Sequence, residues 1–159
     1  LISEYQGGAI IIWRRRMALY AQKISKNGDF NWGQNPIEVW NGGDLPQSPI
    51  FKVAQDGFGR TIIVWSFVEG GKKVDSTFTR RAQCLDESGN KLWGENGVLV
   101  SLINDRSGTG LSIAADDKGG ILVSWAFGSS AYQWKEPYAQ KLDDAGNRIW
   151  GEQGFKLTE

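Results

Sequence analysis

This chain of 159 residues contains no histidine and one cysteine. Histidine is the usual general base near neutral pH and the commonest metal ligand. A lone cysteine, Cys84, forms no internal disulfide and supplies no thiolate-rich zinc or iron–sulfur site. It fills a slot held by Lys23 and Lys141 elsewhere, so a neutral replacement in a strand is weighed against a reactive thiol. No nucleophile elbow is present and no carboxylate pair recurs in a distinctive context. A glycosidase needs two carboxylates flanking a cleft, and spacing alone does not place them. Asp56 and Asp116-Asp117 lie in glycine turns that suit calcium, an oxygen-seeking ion. They lack further carboxylates nearby, and aspartate caps turns through its own backbone, so turn chemistry is the expectation. The sequence predicts no enzyme, no metal and no cofactor.

Binding groups are better represented. Trp134 sits in a long loop with Tyr132 and Tyr138, an aromatic set suited to stacking on a glycan or a peptide. Trp40 is a further aromatic outside the repeating pattern described below. Arg14-Arg15-Arg16 is the densest charge cluster, suited to phosphate, sulfate or an acidic partner. Strand alternation would point Arg14 and Arg16 one way and Arg15 the other, and a solvated loop is the plainer reading. The 18 basic and 18 acidic residues balance, which gives no pull toward nucleic acid or an anionic membrane. The longest apolar stretch, Ala9 to Trp13, falls far short of the ~20 residues of a membrane span.

The elements that must position these groups come from one motif written three times. Ala21-Gln22, Ala82-Gln83 and Ala139-Gln140 each lead through Gly28-Asp29, Gly89-Asn90 or Gly146-Asn147. Each then reaches Trp32-Gly33, Trp93-Gly94 or Trp150-Gly151, 11 residues after the alanine in every copy. A fixed period marks a repeat architecture. Gln22, Gln83 and Gln140 recur at one strand position, which suggests amides bonded to neighbouring backbone, since buried polar groups need partners.

Each copy reads as four strands, A to D. Strand A is expected at Leu1–Glu4, Pro49–Ala54 and Gly110–Ala114. Strand B is the β-branched run ending in Trp13, Trp65 or Trp125, apolar enough to be buried on both faces. Strand C carries the glutamine, and a glycine turn leads to strand D at Phe30–Trp32 and its counterparts. The six motif tryptophans, Trp13, Trp32, Trp65, Trp93, Trp125 and Trp150, read as packing between copies. No segment shows helical periodicity. The B–C connection varies most, and repeat proteins often collect such variation on a binding face. A four-stranded repeat suits a β-propeller blade. A β-sandwich also has many short strands but does not explain the threefold motif.

These residues resemble a bacterial extracellular β-propeller repeat. Its pattern is roughly Asp-Gly-x-Gly-Gly, an aliphatic run, Trp, a variable loop, Tyr-Ala-Gln-Lys/Arg-Leu-Asp, Gly-Asn and Leu-Trp-Gly. The third copy is the most similar, through Asp117, Gly119, Gly120, Trp125, Tyr138, Gln140, Gly146 and Trp150 among others. Members often carry Asp-x-Arg after the strand B tryptophan, where this chain has Arg14-Arg15-Arg16, Ser66-Phe67 and Ala126-Phe127, so no ligand is carried over.

The resemblance implies an all-β fold of three four-stranded antiparallel blades, at 1–46, 47–104 and 105–159, in a secreted or cell-surface protein. Propellers close with roughly four to eight blades. Three therefore imply a partial ring or half of an oligomeric ring, and the start at Leu1 is read as an excerpt or a processed product. The expected function is a non-catalytic structural and protein-interaction module. The alternative is a lectin-like module using loop aromatics, and a glycosidase-like enzyme is third. Expected partners are self-association or further blades, with a glycan or surface protein beside them.

Overall fold

The computed structural model describes residues 1–3, 7–42, 50–69, 77–103, 109–128 and 135–158. The fold is all-β, with three four-stranded antiparallel sheets and no helix among the described residues. The first sheet holds β1 (Ile2–Ser3), β2 (Ala9–Arg15), β3 (Ala18–Ile24) and β4 (Ile37–Trp40). The second holds β5 (Phe51–Gln55), β6 (Thr61–Glu69), β7 (Thr77–Leu85) and β8 (Val98–Leu99). The third holds β9 (Thr109–Ala115), β10 (Ile121–Phe127), β11 (Glu136–Leu142) and β12 (Phe155–Lys156). In every sheet the strands lie side by side in chain order. The register repeats too, with Gln22 opposite Ile11, Gln83 opposite Ile63 and Gln140 opposite Val123.

The first three strands of each copy lie close to where the sequence places them, but strand D does not. Phe30, Lys91 and Arg148 make only isolated bridges to Ile24, Leu85 and Leu142. The fourth strand forms later, at Ile37, Val98 and Phe155. Between bridge and strand the chain swings out through Gly33, Gly94 and Gly151, whose φ values of 87°, 74° and 78° lie where only glycine is at ease.

The repeated spacing holds this excursion through one side chain. The Gln83 amide nitrogen donates to the Gly94 carbonyl at 2.6 Å, and its oxygen accepts from the backbone N–H of Cys84 and of Trp93, both at 3.0 Å. Gln140 does the same with Gly151 at 2.7 Å, Lys141 at 3.1 Å and Trp150 at 3.0 Å. Gln22 donates to Gly33 at 3.0 Å and accepts from Lys23 at 2.9 Å. All three amides are buried, where an unmade hydrogen bond is costly.

Two apolar layers join the sheets. Ile10, Ile12, Leu19, Trp32 and Val39 of the first meet Ile63, Trp65, Phe67 and Leu85 of the second. The opposite face of the second sheet, with Ile62, Val64, Ala82, Trp93 and Val100, meets Leu111, Val123, Trp125 and Leu142 of the third. Burial of strand B on both faces therefore holds for β6 alone, where residues 61–67 are all buried. In β2 and β10 burial alternates, because among the described residues each outer sheet is covered by a neighbour on one side only.

Replacing Gln83 by alanine orphans the buried N–H groups of Cys84 and Trp93, each costing ~1–3 kcal/mol, and removes the partner of the part-buried Gly94 carbonyl. The expected loss of folding stability is about 3 kcal/mol by urea denaturation. A loss below about 1 kcal/mol would show that the amide does not pin the loop.

Candidate functional site

The aspartates of the turns spend their oxygens locally. Asp86 Oδ1 accepts from the N–H of Ser88 at 2.9 Å and of Asn90 at 2.8 Å, while Oδ2 accepts from the Asn90 side chain at 2.8 Å. Asp143 repeats this with Ala145 and Asn147. Ser25 takes the same place in the first copy, its hydroxyl accepting from Asn27 and Asp29 at 3.1 Å. Asp56 caps Phe58 and Arg60, and its Oδ2 meets the Arg60 Nε at 2.7 Å. Asp116 caps Lys118 and Gly120 and pairs with Lys141 at 2.9 Å. The Asp56 and Asp116 oxygens are therefore committed to turns, and no metal-holding cluster of acids, cysteine and histidine occurs among the described residues.

These bonds favour the charged carboxylates. Lys141 and the loop N–H groups hold Asp116 below its ordinary range, and the Asn147 side chain and its loop do the same for Asp143. Burial opposes the shift at Asp86, but the hydrogen bonds from Asn90, Ser88 and Gly89 outweigh it.

The basic cluster is not a strand face. Arg14 and Arg15 close β2, but Arg16 and Met17 form a two-residue turn before Ala18, so alternation stops at Arg15. Arg16 adopts φ 56°, the left-handed geometry that two-residue hairpin turns demand. Its carbonyl accepts from Arg14 Nε at 2.6 Å. The trio is thus a hairpin tip, with Arg15 and Arg16 exposed.

The aromatic candidates separate. Tyr132 and Trp134 lie outside the described residues. Tyr138 belongs to β11 rather than to a loop, and its ring stacks on Trp125 at 6.0 Å and lies 5.4 Å from Phe127. Trp13 and Tyr20 repeat that stack at 6.0 Å in the first sheet. Trp40 is no ligand platform, because it is buried 4.9 Å from Phe67 and 6.0 Å from Trp65.

A cleft of about 620 Å³ opens between the second and third sheets, lined by Arg81, Val98, Leu102, Asn147, Arg148 and Glu152 among others. Neither arginine was singled out by the repeat, since both occupy positions that vary among copies. Arg81 donates to the carbonyls of Asn96 and Gly97 at 3.1 and 3.0 Å, and Arg148 to that of Leu99 at 3.0 Å. Glu152 is the one carboxylate in this lining among the described residues, so a flanking pair is missing here.

The geometry that does recur joins neighbouring sheets. The Trp32 indole donates to the Glu87 carbonyl and the Trp93 indole to the Asp144 carbonyl, each at 3.0 Å. Each ring lies on the glycine of that turn, so a Cβ on Gly89 would come within 2.9 Å of Trp32, and one on Gly146 within 3.0 Å of Trp93. The third motif tryptophan, Trp150, is 40% exposed. The chain matches no family model, no curated protein and no solved structure.

Two outcomes follow. Cys84 is buried, and burial pushes its thiol up to about 12. A thiol reagent at neutral pH should label it only after denaturant is added, and fast stoichiometric labelling of the folded chain would contradict this burial. Asp86, Asp116 and Asp143, held below the unfolded value of about 3.9, contribute stability that is present above it and lost as pH falls through their folded values. Urea midpoints should drop below about pH 4, and Asp143→Asn should lower stability at pH 7 while flattening that drop.

Proposed function

We propose that this chain is a non-catalytic structural and protein-interaction module of a secreted or cell-surface protein, its three sheets being blades of a β-propeller. The observation that carries the reading is the repeated sheet-to-sheet contact, in which one indole seats on the glycine turn of the next sheet with the same 3.0 Å hydrogen bond. A contact reproduced by the same residue types in successive copies places successive sheets by one rule, as an array of blades requires. The approach of the first strands β5 and β9 to each other supports a common inner side. Compartment rests on the resemblance of the repeat.

The chemistry supports binding over catalysis. Both cleft arginines are engaged by backbone carbonyls, and the turn carboxylates cap their own loops. What remains on offer is apolar surface on the outer sheets, with Leu122, Trp150, Phe155 and Leu157 exposed on the third. Apolar patches of this kind mark interaction sites in folded proteins.

A glycan array and a panel of chromogenic glycosides test the reading with the same protein. No retained glycan and no turnover are expected. Saturable glycan binding that Trp134→Ala abolishes, with an unchanged circular dichroism spectrum, would replace this reading by the lectin-like one. Glycoside turnover would replace it by an enzyme.

A further inference from the structure

The two outer sheets carry opposite halves of one contact. On the third sheet, the residues matching Trp32 and Trp93 and matching Val39 and Val100 are Trp150 and Leu157. Trp32, Trp93, Val39 and Val100 are buried, whereas Trp150 is 40% and Leu157 is 52% exposed. Trp150 borders a shallow groove of about 290 Å³ floored by Leu122, Ser124 and Ala139, the matches of Ile62, Val64 and Ala82 in the internal interface.

The first sheet carries the complement. Ile11, Trp13 and Ile24 match Ile63, Trp65 and Leu85, which the neighbouring sheet buries completely, yet all three are only half-buried. Gly28 matches Gly89 and Gly146, but a Cβ there would meet nothing within 4 Å. Among the described residues no indole covers this glycine, as one does in the other two copies. Lys26 holds the position of Glu87 and Asp144, whose carbonyls receive the internal indoles. Phe30, exposed, holds the position of Arg148, which reaches over β8 to the Leu99 carbonyl. The match of Leu99 is Lys156, so Phe30 would lie over β12 beside the exposed Phe155.

We propose that the outer face of the third sheet docks on the outer face of the first sheet of a second copy of this chain, with the Trp150 indole on Gly28 and donating to the Lys26 carbonyl. The contact continues the interface already made twice inside the molecule. Two chains joined this way at both ends bring six sheets together, within the roughly four to eight that close a propeller. Such an interface is heterologous, since one face differs from the other, and it closes when the rotation per sheet allows. This inference rests on the module reading above and names its partner.

Light scattering behind size exclusion, across a concentration series, tests it by complementation. The wild-type chain is expected at twice 17.6 kDa. Trp150→Ala damages one face and Ile11→Lys the other, so each variant alone should run at 17.6 kDa with a native circular dichroism spectrum. Mixed, the two variants retain one intact pair of faces and should recover a species of twice that mass. Phe30→Asp, altering an exposed side chain, replaces Ile11→Lys in the mixture if the latter does not fold. A wild-type chain that stays at 17.6 kDa at all concentrations, or variants that fold but do not complement, overturns the docking. Neither result touches the module reading, which the glycan and glycoside assays decide separately.

Discussion

The structure depends on a buried amide. A strand that ends in a wide loop leaves backbone groups with no ladder to join, and a buried unpaired group costs ~1–3 kcal/mol. Gln83 and Gln140 each meet one carbonyl and one N–H group of that loop, and the N–H of the next strand residue, with a single side chain. No other uncharged side chain except asparagine offers both donor and acceptor at an amide, and asparagine is one methylene shorter. The glutamine fixes where the tryptophan of the loop stands, and the tryptophan fixes where the next sheet stands. Sheet formation and sheet stacking are therefore linked through one residue per copy.

The stacking combines shape with a polar lock. Apolar layers alone would let two sheets slide, because dispersion and hydrophobic attraction have little direction. The indole N–H supplies direction, and the glycine beneath the ring supplies the room. Trp32 and Trp93 satisfy their donors in this way while burying their rings. Arg60 adds a second tie, bridging Asp56 of its own turn and the Gly119 carbonyl of the next sheet at 3.0 Å.

Much of this was legible because residue types repeat at fixed spacing. The first three strands of each copy, the glycine turns and the pairing of glutamine with backbone all follow from the triplicated motif. The fourth strand was not legible, because Trp-Gly looks like strand chemistry in type while its glycine adopts positive φ. Burial was misjudged for a different reason. Ile11 and Ile63 are the same residue in the same register, yet only Ile63 has a sheet on both sides. Trp40 looked available because it falls outside the motif, but Ser101 holds its place in the second copy, and the larger ring fills the layer beside Trp65. The cleft arginines gave only a faint signal: Arg81 stands where the sister copies carry Tyr20 and Tyr138, and Arg148 where they carry Phe30 and Lys91.

The tie from each tryptophan to the following turn also shapes how the molecule comes apart. Stability in such an array is close to a sum over units and the joints between neighbours. Within one chain, among the described residues, the middle sheet has two joints and each outer sheet has one. Opening an outer sheet breaks a single joint, whereas opening the middle one breaks both and strands the remaining two. Within a single undocked chain, native-state fluctuations thus run as a gradient, with exchange of amide protons slowest along β6 and β7 and fastest at the two flanks.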